Sequence, residues 1–300
     1  MSAEPLVVAI SSRALFDLDE ENRIFERDGQ DAYTAYQVAH EHEVLKPGVA
    51  FRLVQKLLAL NGQLKDRGLD GPGVEVILLS RNSGNSGLRI FNSIEHYGLD
   101  IVRAAFTSGA PPHEYIQAFG AHLFLSANLE DVRRALTAGF AAATILPSST
   151  SGPSHPQLRI AFDGDAVLFG DEAERVSTLE GLDRFHETER ANAETPLSGG
   201  PFRPVLAALH RIQSAFPAEQ SPVRTALVTA RSAPAHKRVI LTLRHWGVRL
   251  DEALFLGGRD KGPFLAAFGA DIFFDDSSRN VESARQHVPS AHVPHGIANA

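Results

Sequence analysis

The sequence predicts an α/β protein with two consecutive Rossmann-type domains, each built on a parallel sheet. Three features support this fold class: apolar strands alternate with helical segments, the chain contains an internal repeat, and a linker-like stretch lies near its middle. Strands that alternate with helices are typical of a parallel sheet covered by helices on both faces. A chain of 300 residues is long enough for two domains that each bury a core. We place them at residues 1–150 and 151–300.

The internal repeat relates positions 96–132 to positions 245–281 without a gap. The identical pairs are His96/His245, Gly98/Gly247, Ala104/Ala253, Phe106/Phe255, Gly109/Gly258, the block 118–121 against 267–270, Phe124/Phe273 and Val132/Val281. Self-similarity at a fixed period indicates a repeated architecture. Residues 147–156, which are rich in Ser, Pro and Gly, cannot bury a core and are predicted to link the two copies.

The first half opens with the strand Leu6–Ile10, followed by a charged excursion at residues 17–46. From Phe51 onward, apolar residues recur at helical spacing. A strand at residues 74–79 leads into the loop 80–87, which is rich in glycine and hydroxyl side chains. Such a loop before a helix is either an anion site or a flexible connection, and the sequence leaves both interpretations open.

The second half begins with the strand Leu158–Phe162. A second charged excursion at residues 171–200 precedes an amphipathic helix that starts near Phe202. The remaining strands are predicted at residues 224–229, 253–256 and 271–276. Both halves therefore follow the same succession of strand, long excursion, helix and further strands.

Composition excludes several classes of protein. The chain is 43% hydrophobic and 22% charged, as expected of a globular protein. It has no apolar run approaching the roughly 20 residues of a membrane span, and we expect no membrane partner. Its net charge of −7 argues against a nucleic-acid polymer as partner. There is no cysteine for a disulfide or a thiolate metal site, and the first residues lack the pattern of a signal peptide, so we expect a cytoplasmic protein.

Two acids, Asp163 and Asp165, directly follow the strand Leu158–Phe162 and are separated by one glycine. In open α/β folds, ligands bind at the carboxyl ends of the strands. Adjacent carboxylates repel each other unless a cation or a shared proton offsets the repulsion. The pair therefore favours a divalent metal with one acid as nucleophile and the other as proton donor. On this dipeptide alone, an Asp-Gly turn between two strands is the simpler interpretation.

Further polar residues follow the later strands of the second half. Thr229 ends one strand, Lys261 follows the next, and Asp275 and Asp276 end the last. Because the carboxyl ends of parallel strands meet along one edge, we expect these side chains in one crevice.

This combination of carboxylates, a threonine hydroxyl and a lysine ammonium is typical of phosphoryl transfer from a monoester. Asp163 is the expected nucleophile, and Asp165 is expected to protonate the leaving group and then activate water. Thr229 would donate a hydrogen bond to the phosphate, whose charge Lys261 and Mg²⁺ would offset. The oxygen-only ligands favour Mg²⁺ over zinc. The predicted metal ligands are Asp163, Asp275 and Asp276.

The first copy of the repeat lacks this chemistry. At the matching positions it carries Ser11, Arg13, Pro112, Ser126 and Ala127 in place of Asp163, Asp165, Lys261, Asp275 and Asp276. If the acids served the fold alone, the first copy would need them too. We therefore assign catalysis to the second half and scaffolding or substrate contacts to the first.

In order and position, these motifs resemble those of the haloacid dehalogenase-type phosphatases. Along nearly its whole length the chain is similar to the cytosolic type I 5'-nucleotidases. The stretches that carry this likeness are 11–17 (SSRALFD), 92–97 (NSIEHY), 161–169 (AFDGDAVLF), 227–232 (LVTARS) and 273–276 (FFDD).

The resemblance implies two haloacid dehalogenase-like domains, of which only the second is catalytic, with a small helical cap at about residues 171–200. It implies magnesium-dependent hydrolysis of nucleoside 5'-monophosphates such as AMP by a cytosolic homo-oligomer. It also implies that Asp165 contacts the metal through its backbone carbonyl. By this resemblance we expect the chain to lack the terminal extensions of the animal members.

The resemblance and the strand positions also suggest which residues contact the nucleotide. The expected substrate-binding residues are Arg231, Ser232, Arg13, Asn82 and Arg89, which lie at strand ends or in loops. Within the cap, His186, Arg190 and Asn192 either contact base and ribose or form a solvated helix face. Two other functions stay open: hydrolysis of another small phosphate monoester, and a nucleotide sensor without turnover.

Overall fold

The computed structural model of the protein describes residues 4–68, 73–148 and 155–299. The chain divides into two compact units, Met1–Ile145 and Leu146–Ala300. Most of the predicted linker at residues 147–156 lies outside the described residues. We call the two units the first unit and the second unit.

The first unit alternates strands with helices. Its strands are β1 (Leu6–Ile10), β2 (Val74–Ser80), β3 (Arg103–Phe106), β4 (Leu123–Ser126) and β5 (Ala142–Leu146). Its helices are α1 (Ser12–Leu15), α2 (Asp19–Ala39), α3 (Phe51–Lys65), α4 (Leu88–His96) and α5 (Leu129–Thr137), with a 3₁₀ turn at Pro112–Tyr115. The strands lie in the order β3-β2-β1-β4-β5, and the pairs described are parallel.

The second unit also alternates strands with helices. Its strands are β6 (Leu158–Phe162), β7 (Val223–Thr229), β8 (Glu252–Phe255), β9 (Ile272–Asp275) and β10 (Ser290–His292). Its helices are α6 (Glu172–Glu180), α7 (Leu182–Ala191), α8 (Arg203–Ser214), α9 (His236–Trp246), α10 (Gly262–Phe268) and α11 (Ser278–Ala284), with 3₁₀ turns at Ala218–Gln220 and Ile297–Asn299. The strand order is β8-β7-β6-β9-β10, again with parallel pairs.

The sheet of the second unit is buried on both faces. On one face, Ala161 and Phe273 pack with Leu265 of α10 and Ala284 of α11. On the other face, the rings of Phe162, Phe202 and Phe274 lie 4.8–6.2 Å apart between centroids. Strands covered on both sides are mainly apolar, and β6 and β9 are apolar except for Arg159 and Asp275.

Local signals in the sequence set the helix ends. Asn128 caps α5 by accepting hydrogen bonds from the backbone N–H groups of Glu130 and Asp131. In the second unit, α9 ends at Gly247, whose φ of 64° is a left-handed conformation that favours glycine.

The predicted class, a mixed α/β fold with parallel strands, is confirmed. Strands β5 and β10 did not emerge from the sequence analysis. Strand β5 is alanine-rich and β10 has three residues, so neither carries a strong strand pattern. Among the described residues, no helix is both long and apolar enough to span a bilayer.

Candidate functional site

The carboxyl ends of four neighbouring strands bring the predicted catalytic residues of the second unit together. Asp163 directly follows β6, Thr229 ends β7, and Asp275 ends β9. Lys261 lies beyond β8, directly before α10. Strand β6 pairs with both β7 and β9, so its carboxyl end lies between theirs. Topology therefore collects residues that are far apart in the sequence.

Three carboxylates form the centre of the site. Asp163, Asp275 and Asp276 each offer one oxygen, and these oxygens lie within 4.8 Å of one another. All three side chains are buried. This is a spacing at which one cation can contact every acid.

Lys261 lies against two of these acids. Its Nζ is 2.8 Å from Oδ1 of Asp163 and 2.6 Å from Oδ2 of Asp275. Burial by itself lowers the pKa of Lys261, but the charges of Asp163 and Asp275 outweigh burial and raise the pKa above its ordinary value. Lys261 is therefore a fixed positive charge.

Helix α11 helps to orient Asp275. Oδ1 of Asp275 accepts a hydrogen bond of 2.8 Å from the backbone N–H of Ser277. The amide of Asn280 donates to both carboxylate oxygens at 3.2 Å. Asp275 is thus held by its own helix N-terminus as well as by Lys261.

Asp276 is held differently, through its backbone. Its carbonyl oxygen lies 2.9 Å from Nε2 of His292 and accepts a hydrogen bond from the Asn299 amide. Its Oδ2 is buried and has no hydrogen-bond partner among the described residues. An unpartnered buried carboxylate oxygen next to other acids has the environment expected of a metal ligand.

Electrostatics supports a cation at this position. Burial raises the pKa of Asp163 to about 7, with Lys261 opposing and Asp275 adding to the shift. Burial also raises the pKa of Asp276 to about 9, helped by the charges of Asp163, Asp275 and Glu174. With three carboxylates and one ammonium, the ionised site carries two excess negative charges. A divalent cation with oxygen ligands neutralises that excess, and the residues fit it.

Asp165 lies in a tight turn after Asp163. Oδ1 of Asp163 accepts a 2.7 Å hydrogen bond from the backbone N–H of Gly164, and the N–H of Phe169 donates to the Gly164 carbonyl at 2.9 Å. Ala166 has a φ of 58°, a left-handed conformation that is costly for a residue with a side chain. No strand follows directly, so the alternative of a simple Asp-Gly turn between two strands is wrong.

The Asp165 carboxylate is bound by Arg231 rather than gathered with the three acids. Nε of Arg231 lies 2.8 Å from Oδ2 of Asp165, and Nη2 lies 2.6 Å from Oδ1. Nη1 of the same guanidinium binds Glu189 of α7. Each guanidinium nitrogen thus has a partner within the protein, and the substrate contact expected of Arg231 stays a prediction.

Glu189 extends this network of ion pairs to a second arginine. Its other oxygen accepts a 2.7 Å bond from Nη1 of Arg238 on α9. The Glu189 side chain is 1% exposed, and that of Arg231 is 2% exposed. The ring of Phe185 packs 5.5 Å from the Arg231 guanidinium. Helix α7 is thereby tied to the residue that holds Asp165.

Thr229 and Ser232 flank this network. The Thr229 hydroxyl oxygen accepts a 3.2 Å hydrogen bond from the backbone N–H of Arg231 and faces Gly164, where an added Cβ would lie 3.3 Å away. Ser232 is half-buried, and its hydroxyl has a long contact of 3.4 Å with the Ala233 carbonyl. Both hydroxyls keep the capacity to donate to a ligand.

The remaining predicted substrate-binding residues belong to the first unit. Arg89 is buried, and its guanidinium binds Glu21 at 2.8 Å and Gln37 at 3.2 Å, so it serves the packing of α2 against α4. Arg13 is exposed and reaches Asn22 at 2.9 Å. Asn82 accepts a hydrogen bond from the Tyr33 hydroxyl.

Several residues of the site were missed by the sequence analysis. They are Glu174, Glu189, Arg238, Asn280, His292 and Asn299. Most lie in helices or loops rather than at strand ends, where the search was made. The spacing of Phe185 and Glu189, four positions apart on one helix face, is the signal that could have identified Glu189.

The chain is similar to known proteins over nearly its whole length. The family model described as 5'-nucleotidase matches residues 1–300. Human cytosolic 5'-nucleotidase 1B is 40% identical over 288 residues, covering 94% of this chain and 47% of the human protein. The chain thus spans about half the length of that relative.

Among solved structures, histidinol dehydrogenase from Elizabethkingia anophelis aligns with 78% of this chain and 47% of its own, at 10% identity and a TM-score of 0.22. So weak a likeness carries no argument about fold or function. The family match extends over both units and includes every member of the carboxylate cluster. The chain belongs to the 5'-nucleotidase family.

Proposed function

We propose that this protein is a cytoplasmic, magnesium-dependent phosphatase that hydrolyses nucleoside 5'-monophosphates such as AMP. The observation that carries the proposal is the meeting of Asp163, Asp275 and Asp276 within 4.8 Å, next to the ammonium of Lys261. Family membership and the name of the human relative support a nucleotide substrate. When bound, Mg²⁺ would neutralise the phosphate so that an anionic nucleophile can approach it.

In this proposal Asp163 is the nucleophile. Its Oδ1 is held by the Gly164 N–H at 2.7 Å and Lys261 at 2.8 Å, while Oδ2 accepts no hydrogen bond from the described residues. Attack by Asp163 on phosphorus would form an acyl phosphate as the bond to the nucleoside 5'-oxygen breaks. Thr229 would donate to a phosphoryl oxygen, and Lys261 would offset its charge.

Asp165 completes the reaction in this scheme. It would protonate the departing 5'-oxygen, and then take a proton from the water that cleaves the acyl phosphate. The bidentate contact with Arg231 fixes the position of Asp165. Arg231 is then a positioning residue, and donating a proton requires that Asp165 loosen this contact once substrate is bound.

We also propose that the two units are copies of one haloacid dehalogenase-like domain, with the catalytic set in the second alone. Matching contacts support this. The Leu45 N–H binds the Ser93 hydroxyl, and the Leu197 N–H binds the Thr242 hydroxyl, both at 3.0 Å. In both units an additional helical segment bends at a glycine, with φ of 83° at Gly29 and 88° at Gly181.

Residues 171–200, with α6 and α7, are the proposed cap. Glu189 of α7 is bound to Arg231 and Arg238, so the cap is connected to the proposed catalytic acid. His186 and Asn192 are half-buried and Arg190 is exposed, and they stay candidates for nucleoside contacts together with Ser232. We further propose a homo-oligomer, which light scattering would test.

The decisive experiment measures phosphate release from a panel of monoesters, with and without Mg²⁺. We expect nucleoside 5'-monophosphates to be preferred over sugar phosphates. Asp163→Asn should lower kcat by about 1,000-fold, or ~4.1 kcal/mol. Asp260→Asn, a change at an exposed acid beside Lys261, is the matched control and should stay within about twofold.

Three results would contradict the proposal. Preference for a sugar phosphate would change the substrate class. Loss of less than about tenfold (~1.4 kcal/mol) in Asp163→Asn would remove the nucleophile assignment. Nucleotide binding without phosphate release in the unmodified protein would identify a sensor.

A further inference from the structure

The first unit contains a pocket of its own. Its volume is about 230 Å³, and it lies at the carboxyl ends of strands in that unit. Ser11 follows β1, Asn82 follows β2, and Ser126 ends β4, and all three line the pocket. Ligands of open α/β folds bind at this edge of a sheet.

The chemistry of this pocket differs from that of the cluster in the second unit. By the sequence repeat, Ser11, Arg13, Pro112 and Ser126 stand where the other copy has Asp163, Asp165, Lys261 and Asp275. Among the described residues, a group of acids able to hold a metal occurs in the second unit and has no counterpart here. The pocket therefore has neither the proposed nucleophile nor the charge that would retain a divalent cation.

One lining residue, Asn82, carries a hydrogen-bond donor without a partner among the described residues. The Tyr33 hydroxyl accepts from the Gln37 amide at 3.0 Å and donates to Oδ1 of Asn82 at 2.9 Å. These contacts fix the orientation of the Asn82 amide. Its Nδ2 is buried and has no partner among the described residues. A buried donor without a partner is costly unless a ligand accepts its hydrogen bond.

Positive charge is also present at the rim. Arg81 is neutralised by Asp131, which it binds through two nitrogens. Arg13 has weaker partners, namely Asn22 at 2.9 Å and Asp19 at 3.4 Å, and its side chain is 40% exposed. Arg13 is thus the cation best placed to exchange a surface contact for an anionic ligand group.

Another part of the lining is apolar and aromatic. Leu18, Phe25 and Tyr33 line it, and the two rings meet edge to face at 6.1 Å. Phe25 is 45% exposed, which is unusual for a large apolar side chain beside a cavity. A planar ring seated against Phe25 would cover this surface.

We propose that this pocket binds, without turnover, a planar aromatic compound that carries one anionic group. The aromatic wall takes the ring, Arg13 takes the anion, and the Asn82 amide donates to an acceptor on the ligand. Every residue that lines the pocket belongs to the first unit, whereas the proposed catalytic residues belong to the second. Its existence does not depend on that function.

Hydrogen-exchange mass spectrometry on the full chain tests this site. The probes are AMP, adenosine and inorganic phosphate, each with a chelator present so that AMP is not consumed. We expect AMP to slow exchange at residues 11–16 and 80–82. Adenosine should do so more weakly because it lacks the anion, and phosphate should not do so because it lacks the ring.

Variants with matched controls test which residue binds the ring of the ligand and which binds its anionic group. Phe25→Ala should weaken AMP protection of the first unit at least about tenfold in apparent Kd. Tyr115→Ala removes another aromatic side chain, which is 44% exposed and does not line the pocket. This control should leave the apparent Kd for AMP unchanged. Arg13→Ala should weaken AMP but not adenosine, whereas Arg27→Ala, at a surface ion pair, should affect neither.

Lys261→Met separates this site from the catalytic one. We expect it to abolish AMP protection around Asp163 while protection at residues 11–16 persists. If AMP protection were lost at both places, the two would form one shared site, and the inference would be overturned. So would unchanged exchange at residues 11–16 in the unmodified protein, or equal protection by AMP in Phe25→Ala. None of these results would bear on phosphate release, which the monoester panel tests separately.

Discussion

The Arg231 guanidinium binds both carboxylate oxygens of Asp165, at 2.8 Å from Nε and 2.6 Å from Nη2. The two residues lie far apart in the sequence, and β6 and β7 bring them together as adjacent strands. Bidentate pairs of this kind fix orientation as well as charge. The contact therefore sets where the proposed proton donor stands.

Arg231→Met should lower kcat by about 100-fold, because a displaced Asp165 no longer meets the reacting oxygen. The measurement is phosphate release at saturating nucleotide. Arg224→Met breaks a half-buried ion pair with Glu252, which makes no contact with Asp165, and is the control. A full kcat in Arg231→Met would show that Asp165 needs no positioning by Arg231.

Glu189→Gln should destabilise the protein by about 3 kcal/mol, since it leaves two buried guanidinium groups short of one negative charge. Glu187→Gln lies on the same helix, where the side chain is 65% exposed, and should change stability by less than about 0.5 kcal/mol. Urea unfolding measures both. Equal effects would mean that the network of Arg231, Glu189 and Arg238 contributes no more than surface charges.

Magnesium should raise the melting temperature of the protein even without substrate. At 100 times its Kd, a ligand specific for the folded state adds about 2.7 kcal/mol. Asp276→Asn should reduce this shift, because it removes a charge from the cluster, whereas Asp183→Asn, in an exposed part of α7, should not. A shift of the same size in Asp276→Asn would exclude Asp276 as a ligand.

Gly200→Ala should cost about 1–3 kcal/mol through overpacking. An added Cβ at Gly200 would lie 2.3 Å from the Phe169 carbonyl oxygen and 2.4 Å from that of Val167, which are backbone atoms of the turn after Asp163. Gly62→Ala, in α3, meets nothing within 4 Å and should stabilise the protein by about 0.5–1 kcal/mol. Thermal unfolding of the two variants compares their stabilities. An unchanged stability in Gly200→Ala would show that the turn can move.

The amino-acid sequence by itself determined the α/β class and where the acids stand. Alternation of apolar strands with helices requires parallel pairing, and parallel pairing places Asp163, Thr229 and Asp275 at one edge of a sheet. That inference needs no coordinates, because it follows from chain direction alone. Comparing the two copies of the repeat, also without coordinates, showed that only the second half carries the acids at these positions.

Only the tertiary structure decided how the charges pair. Glu189, Arg231 and Arg238 come from α7, the loop after β7 and α9, and no spacing in the sequence relates them. The same is true of Arg89, which binds Glu21 and Gln37 in the interior, and its substrate contact stays a prediction. Contacts between side chains from distant segments depend on how helices pack on a sheet, and that packing is set by the whole core at once.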